Sequence, residues 1–571
     1  MTTREFSVWA PGRASVALET DGGTVPMDRG THGWWRATAP ADPGDRYGFR
    51  LDEGPARPDP RGLRLPDGPH GLSAVFDVTE HDWQDRQWRG TRLEGAVIYE
   101  LHVGTFTPDG TLDSAVERLD HLVDLGVTLV ELLPLAPTPG LRNWGYDGVA
   151  PQAVDEVYGG PAALQRFVDA AHARGLGVCL DVVYNHLGPE GNYLTEFGPY
   201  LTDRYTTPWG AALNLDGPGS DEVRRWISDN AVQWFRDFHV DALRLDAVHE
   251  LIDNRAVHVL EELSSRVDDL ASELGRPLTL IAESDRNDPR TVTARADGGF
   301  GLHGQWSDDI HHALHVALTG EAQGYYADFA APEALPKVLV TPFFHDGTWS
   351  SFRGRSHGRQ VDLARTPPHR YVASLQTHDQ VGNRATGDRL SHLLDPGRLA
   401  CGAALLLTAP WTPMLFMGEE WGAGTPWQFF TDHTDPEIAA ATSEGRRREF
   451  SEHGWSDDVP DPQEASTFER SRLDWSEVER DPHRRLLGWY RDLIRLRREH
   501  PELLGDHVQV DHDPARRTVV VRREGLAVLV NLADEPRCLP VTGTVLLAWE
   551  GIRRSSEGME LPGASAAVVA L

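Results

Sequence analysis

Three carboxylates follow apolar runs in this sequence, and their residue types suit them to nucleophilic and acid–base chemistry. Asp246 ends the run "ALRLD", Glu283 follows "LTLIA", and Asp379 follows "VASLQTH". An ionised carboxylate can attack an electrophilic carbon, whereas a protonated one can donate to a leaving oxygen and then activate water. Two such groups about 5–5.5 Å apart would cleave a glycosidic bond with retention of configuration. The third, Asp379, would hold sugar hydroxyls and stabilise an oxocarbenium-like transition state.

The segment "DALRLDAVHEL", residues 241–251, shows how the first of these carboxylates would stay charged. Strand alternation places its leucines on one face and Arg244 with Asp246 on the opposite, interior face. A cation two residues away on the same face keeps Asp246 ionised despite burial. We therefore predict that Asp246 is the nucleophile and that Glu283 is the general acid and base.

Further polar residues lie at the ends of the same runs and of neighbouring ones. They are Asp181, His186, His249, Ser284, Asp285, His378 and Gln380. We expect Asp181 to brace the site rather than to take part in chemistry. For His249, contact with the leaving-group side of a substrate and plain packing both stay open.

The elements that would position these residues lie between residues 96 and 420. Eight apolar runs of strand length occur there: "AVIYELHVGTF", "VTLVELLPL", "LGVCLDVVYNH", "VDALRLDAVH", "LTLIAESD", "GFGLHGQW", "VASLQTHDQ" and "TPMLFMGEE". Intervening stretches such as "GPAALQRFVDAAHARG" carry apolar residues with helical spacing. Eight strands mostly separated by helices predict a (β/α)8 TIM barrel, whose strand ends form the catalytic face.

The flanks of this region differ from it in pattern. Both are rich in short alternating runs separated by turn residues, which is typical of antiparallel sheets. We predict an N-terminal immunoglobulin-like β-sandwich over residues 1–90, a catalytic barrel with insertions over 91–500, and a C-terminal antiparallel β-domain over 501–571. Long insertions follow strands three and six. The predicted fold class is therefore multi-domain α/β with a central barrel.

Charge and composition restrict the partners. The chain has 55 basic and 87 acidic residues, for a formal net charge of −32, which disfavours nucleic acids and anionic membranes. No stretch reaches the length of a membrane span, and the N-terminus lacks the apolar core of a signal peptide. The three cysteines are odd in number and far apart, which indicates reduced thiols. We predict a cytoplasmic protein.

No cofactor is expected from the motifs. There is no glycine-rich phosphate loop, Walker lysine or dinucleotide fingerprint after the first strand. Asp308, Asp309, His311 and His312 are close in sequence, but their spacing matches no strong metal-ligand motif, so we expect no catalytic metal. The sequence leaves a structural calcium open.

Four ordered stretches, "DVVYNH", "LRLDAVH", "IAESD" and "LQTHDQ", resemble the signature regions of the α-amylase superfamily of glycoside hydrolases. The resemblance implies that Asp246 is the nucleophile, Glu283 the acid/base and Asp379 the transition-state stabiliser. It also implies a set of substrate-binding residues. These are Tyr146 of "NWGYDGV", His186, Arg244, His249, His378 and Gln380.

Other stretches, including "FRGRSHGR", "HDQVGNR" and "EEWGAGTPWQFFTDHTDPEIAAATSEGRRREF", resemble the trehalose-releasing members of that superfamily. The resemblance implies hydrolysis of the α-1,4 bond beside the terminal α,α-trehalose unit of malto-oligosyltrehalose. It also implies a functional pairing with a trehalose-forming synthase. Two alternatives stay open: a 1,4-α-glucan branching transglycosylase, and a non-catalytic glucan-binding protein.

Overall fold

The structure is a computed structural model that describes residues 2–451 and 459–571. Its centre is a closed barrel of eight parallel strands, so the prediction of a TIM barrel is confirmed. Barrel strands one to eight are Ile98–Leu101, Leu129–Leu132, Gly177–Val182, Ala242–Leu245, Thr279–Ala282, Gly304–Trp306, Tyr371–Ser374 and Thr412–Phe416. Each of the eight coincides with one of the eight apolar runs.

These strands are apolar because both of their faces are covered. Every residue of the eight strands is buried. The charged residues within these strands lie at two levels of the register, where Glu131 pairs with Glu100 and Asp181 pairs with Arg244. Parallel pairing in register therefore brings interior charges from neighbouring strands to the same height of the barrel.

Helices cover the outside of the barrel. The α-helices of seven or more residues in the described chain are Leu119–Leu125, Gly160–His172, Ser220–Asp237, Val259–Leu274, Asp308–Thr319, Pro396–Leu407, Pro436–Ser451 and His483–Glu499. Shorter ones are Val103–Phe106, Leu112–Val116, Leu194–Phe197, Ala334–Val338, His378–Gly382, Leu390–Leu393 and Ala465–Arg470. Between strands five and six the chain makes only two single turns of 3-10 helix, Pro289–Thr291 and Arg295–Asp297.

The two predicted insertions carry antiparallel hairpins. The insertion after strand three contains Leu201–Thr207 paired with Gly210–Leu213, and the one after strand six contains Thr348–Ser350 paired with Arg355–His357. Both follow the carboxyl ends of barrel strands. They therefore stand on the face where barrel enzymes build their sites.

The N-terminal region forms two small antiparallel sheets beside the barrel. Their strands are Thr3–Trp9, Val16–Thr20, Gly23–Pro26, Asp28–Arg29, Trp34–Pro40, Arg46–Leu51, Ala56–Arg57 and Ser73–Ala74. The region is joined to the insertion after strand three by an ion pair of 2.7 Å between Arg57 and Glu196. Trp9 packs edge-on against Tyr200 of the same insertion. These contacts brace the insertion against the N-terminal sheets.

The C-terminal region forms a five-stranded and a three-stranded antiparallel sheet. Its strands are Gln509–Asp513, Thr518–Arg523, Leu526–Asn531, Arg537–Leu539, Thr544–Ala548, Arg553–Ser555, Gly558–Leu561 and Ser565–Ala570. The five-stranded sheet contacts the helix Pro396–Leu407 of the barrel. The limits of the three predicted domains, at residues 90 and 500, stay predictions. In the described part of the chain, no helix combines the length and apolarity needed to cross a bilayer.

Candidate active site

One guanidinium group joins carboxylates from three neighbouring strands. Nη1 of Arg244 donates to both carboxylate oxygens of Asp181, at 3.0 and 2.9 Å, and to Oδ1 of Asp246 at 2.7 Å. Its Nη2 lies 3.7 Å from Oε2 of Glu283. The guanidinium carbon lies 4.4 Å from the centre of the Trp306 ring. Because Arg244 is fully buried, its charge offsets the desolvation of the three carboxylates.

Asp246 lies one residue beyond strand four, on the interior side that alternation predicts. Besides the arginine, it accepts a hydrogen bond of 2.7 Å from Nδ2 of Asn185. The next residue, Ala247, has φ +38° and ψ +51°, in the left-handed region that favours glycine. This turn directs the Ala247 N–H onto Oε2 of Glu283, at 2.5 Å. A strained turn therefore links the predicted nucleophile directly to the predicted acid.

Glu283 lies one residue beyond strand five, and its environment favours the protonated form. Burial is the main cause that raises its pKa above the usual value for glutamate, and the charges of Asp246 and Asp379 add to it. Arg244 opposes the rise without cancelling it. A glutamic acid that holds its proton in this way is suited to protonate a leaving group.

Asp379 lies in the first turn of the short helix His378–Gly382 rather than on strand seven itself. Thr377 caps this helix, because its side-chain oxygen accepts from the Asp379 N–H at 3.2 Å. The Asp379 side chain is 44% exposed, which leaves it open to a substrate. Its Oδ1 lies 3.4 Å from Nε2 of His378 and accepts a hydrogen bond of 3.3 Å from Asn383.

His378 is held as an imidazolium ion at neutral pH. Burial opposes its charge, but the carboxylates of Asp379 and Glu100 outweigh burial and raise its pKa to about 9. With both ring nitrogens protonated, Nδ1 donates to Glu100 at 2.6 Å and Nε2 donates to the Tyr146 hydroxyl at 2.8 Å. The Tyr146 hydroxyl must then donate to Asp181, whose Oδ2 lies 2.6 Å away.

The Tyr146 hydroxyl therefore accepts a hydrogen bond from His378, after strand seven, and donates one to Asp181 of strand three. Its ring stacks on His378, with centroids 5.1 Å apart and planes 21° apart. The pKa of Asp181 is raised to about 7, chiefly by burial, while Arg244 acts in the opposite direction. Asp181 thus braces both Arg244 and Tyr146, the role that the sequence suggests for it.

His186 lies beside the nucleophile on the loop after strand three. Its Nδ1 lies 2.5 Å from the Asn185 side-chain oxygen and its Nε2 lies 3.0 Å from the Tyr146 carbonyl oxygen. Trp209, at the tip of the hairpin in the same loop, stacks on the His186 ring with centroids 4.5 Å apart. Trp209 is 51% exposed, so part of its ring is open to solvent.

The other two predicted substrate-binding residues occupy less direct positions. His249 lies on a turn beyond Asp246, close enough to Glu283 for its charge to oppose the rise of that carboxyl's pKa. Its Nδ1 is buried without a hydrogen-bond partner. Gln380 accepts a hydrogen bond from Thr377 through its amide oxygen, so it supports the cap of the helix that carries Asp379. Substrate contact by both stays a prediction.

Several residues of the site were not singled out from the sequence. Glu100, Asn185 and Trp209 contact His378, Asp246 and His186 respectively. Glu100 could have been found, because it is a charged residue inside the apolar run "IYEL", the same signal that marks Arg244. Trp209 had no such signal, since an insertion loop of this length has no pattern that fixes its path.

The acidic and histidine residues on the helix Asp308–Thr319 form no metal centre among residues 2–451 and 459–571. Asp309 instead accepts hydrogen bonds of 2.8 Å from the Asn287 side chain and from the His345 N–H. His311 lies 3.1 Å from the Tyr326 hydroxyl. Both side chains hold the insertion after strand six against the barrel.

Comparison with known proteins identifies the family to which the chain belongs. A model of the alpha amylase catalytic domain matches residues 76–206, and one of a domain of unknown function, DUF3459, matches residues 504–568. A malto-oligosyltrehalose trehalohydrolase from Arthrobacter ramosus is 57% identical over 574 residues, which cover 100% of both chains. One from Mycobacterium tuberculosis is 52% identical over 573 residues, 99% of each chain. The chain belongs to the malto-oligosyltrehalose trehalohydrolase family.

A solved structure agrees with the assignment to the α-amylase superfamily. The crystal structure of an alpha amylase candidate from Salmonella typhimurium superposes with a TM-score of 0.92 at 37% identity, covering 100% of this chain and 98% of that one. The resemblance to the α-amylase superfamily is confirmed, and a trehalohydrolase of this superfamily is a glycoside hydrolase. The non-catalytic alternative is therefore set aside.

Proposed function

We propose that the chain hydrolyses the α-1,4-glucosidic bond beside the terminal α,α-trehalose unit of malto-oligosyltrehalose, releasing trehalose and a maltooligosaccharide. Similarity to trehalohydrolases over the whole chain carries this proposal. The cluster of Asp246, Glu283 and Arg244 supports a double displacement with retention, because one guanidinium group contacts both carboxylates.

In the first step Asp246 forms a bond to the anomeric carbon of the sugar attached to trehalose. The bond from that carbon to the trehalose oxygen breaks, and the electron pair leaves with the oxygen. Glu283 gives its proton to this oxygen, so trehalose departs uncharged. Arg244 and Asn185 hold the nucleophile in place, since both donate to its carboxylate.

In the second step water attacks the same carbon. Glu283, now a carboxylate, takes a proton from the water, and the ester bond to Asp246 breaks. Asp379 accepts from sugar hydroxyls and stabilises the positive charge that develops on the ring in both steps. Tyr146, His186 and His378 line the position of the attacked sugar. The protein's own side chains supply every group that these steps need.

Product analysis tests the proposed reaction against a branching transglycosylase. The protein is incubated with maltotriosyltrehalose and, separately, with amylose, and the products are separated by chromatography. We expect trehalose from the first substrate and little change in the second. Absence of trehalose together with new α-1,6 branches in amylose would replace this proposal with the branching reaction.

Azide rescue tests the two catalytic roles separately. In Asp246→Ala, azide can attack the anomeric carbon from the side that the Asp246 carboxylate occupied. The product is then a glycosyl azide of inverted, β configuration. In Glu283→Ala the covalent intermediate still forms from a glycosyl fluoride, whose leaving group needs no proton, so azide gives the α product. We expect these opposite anomers; the same anomer from both variants would overturn the assignment.

Cellular context forms the last part of the proposal. The substrate has to be made by an enzyme that converts the reducing end of a maltooligosaccharide into trehalose, so we propose a pairing with such a synthase. We also propose a cytoplasmic location, which three unpaired cysteines support. Fractionation of cells followed by immunodetection tests the location.

A further inference from the structure

A cavity of about 340 Å³ lies beside the active site, between the loop after strand five and the hairpin of the strand-six insertion. Arg286, Arg355 and Arg359 line it, together with the ion pair Asp288–Arg290. Its volume is at the lower end of the range for small-molecule sites. The residues named in the catalytic mechanism do not line this cavity, so it is distinct from the catalytic site.

The three arginines have no carboxylate partner in the described part of the chain. Arg286 donates to the His249 carbonyl oxygen at 2.5 Å and Arg355 donates to the Ser356 carbonyl oxygen at 3.1 Å. The carboxylates of the same loop are already engaged, because Asp285 pairs with Arg353 and Asp288 pairs with Arg290. All three arginines are exposed to solvent, and they form a local cluster of positive charge in a protein with a net charge of −32.

The wall of this cavity is rigid. Asn287 is buried and donates from its side chain to Asp309 at 2.8 Å and to the His345 carbonyl oxygen at 3.0 Å. Its own carbonyl oxygen accepts from the Arg359 N–H at 3.1 Å. Gly358 has φ +76°, and a Cβ there would lie 1.8 Å from the His345 carbonyl oxygen. The backbone is therefore packed too closely for any other residue at this position.

A buried histidine in the wall of the cavity lies close enough to neighbouring arginines for their charges to lower its pKa. His357 is 3% exposed, and its pKa is lowered to about 4 by burial and then by the charges of Arg353 and Arg355, with Asp285 acting in the opposite direction. The imidazole is thus neutral at pH 7. An anion in the cavity would neutralise the arginines that surround it.

We propose that this cavity binds a phosphate group, free or esterified to a sugar, through Arg286, Arg355 and Arg359. Guanidinium groups match phosphate oxygens in pairs, and a dianion needs more than one of them to be neutralised. A neutral glucan can accept hydrogen bonds from guanidinium groups, but only an anion also neutralises their three positive charges. The site goes beyond the hydrolytic function and does not depend on it.

Titration calorimetry of the full chain at fixed ionic strength tests the proposal, with inorganic phosphate, glucose 6-phosphate and glucose as probes. We expect phosphate to bind and Arg355→Gln/Arg359→Gln to weaken this binding by at least about tenfold, the loss expected for charge-assisted hydrogen bonds. Tighter binding of glucose 6-phosphate, without binding of glucose, would identify a sugar ester as the ligand. Equal binding of both phosphates would identify the free anion.

Arg554→Gln is the matched control, because Arg554 is an exposed arginine on the C-terminal strand Arg553–Ser555. It should bind phosphate as the unchanged protein does. Melting temperature and trehalose release show whether the double variant is folded. The proposal is overturned if phosphate does not bind, if the folded double variant binds it normally, or if trehalose displaces it, which would make the cavity part of the product site.

Discussion

The Nδ1 atom of His378 lies 2.6 Å from Oε1 of Glu100, and this pair connects barrel strand one with the loop after strand seven. The backbone N–H of His378 donates to the other carboxylate oxygen at 2.9 Å. Because both residues are buried, the pair fixes the position of the imidazole that supports Tyr146. Glu100, on a strand that only strand eight separates from strand seven, therefore positions His378 and Tyr146, which we propose to bind the sugar.

The first prediction concerns stability and the pKa of His378. A histidine whose pKa is about 9 in the folded state and 6.5 when unfolded stabilises the fold fully below pH 6.5, and this contribution is lost as pH rises to 9. The loss should be on the order of 3 kcal/mol. Glu100→Gln should flatten this part of the stability curve, measured by denaturant unfolding at several pH values. The exposed Glu80→Gln is the control, and an unchanged slope in Glu100→Gln would contradict the assignment.

The second prediction concerns the alkaline limb of activity. Since Glu283 must be protonated to assist departure of trehalose, kcat/KM should fall as pH rises through its raised pKa. Asp379→Asn removes a negative charge that raises this pKa, so the limb of its residual activity should move to lower pH. The pH profile of trehalose release measures both. A limb that stays in place in the variant would show that another group controls it.

The third prediction concerns Arg244. Replacing it by Met leaves the buried carboxylates of Asp181 and Asp246 without a compensating cation, which should cost about 3–5 kcal/mol of unfolding free energy. Arg244→Met/Asp246→Asn removes one of these charges and should lose less than the sum of the two single variants. Arg554→Met tests the same chemical change on the surface. Strict additivity in the double variant would argue against the ion cluster.

The fourth prediction concerns the close contact behind Asp379. A Cβ at Gly382 would lie 2.1 Å from Cζ2 of Trp144, whose ring stacks on Trp427 with centroids 4.5 Å apart. Gly382→Ala should therefore shift the helix His378–Gly382, lower kcat and destabilise the protein by about 1–3 kcal/mol. Gly488→Ala is the matched control, because nothing lies within 4 Å of its Cβ position. Activity and melting temperature measure both, and equal behaviour of the two variants would refute the steric argument.

The barrel could be predicted from the sequence because its strands are buried on both faces and read as apolar runs. The same property made Arg244 conspicuous, since a cation inside such a run has to have partners. Glu100 and Glu131 carry the same signal in "IYEL" and "LVEL", and attention to every interior charge would have found them. Glu131 is fully buried, and burial raises its pKa far above the usual value.

Other features depend on contacts that sequence patterns do not carry. The stack of Trp209 on His186 depends on the path of a long insertion, and the arginine-lined cavity depends on two loops from different strands meeting. The absence of an α-helix between strands five and six has a local cause: the stretch "DRNDPRTVTARADGGFG" is rich in Asp, Gly and Pro, which favour turns. Asp379 was expected at a strand end, but Thr377 starts a helix there.

The guanidinium group that Asp181, Asp246 and Glu283 share also constrains how this protein can evolve. A substitution that removes the charge of Arg244 leaves the carboxylates of Asp181 and Asp246 unmatched in the barrel, so such a change would be viable only alongside a second one. Substitutions that accumulate without loss of function should then be concentrated in the insertions after strands three and six, because residues there can change one at a time. Descendants of this sequence should differ in which glucan they accept long before they differ in how they break it.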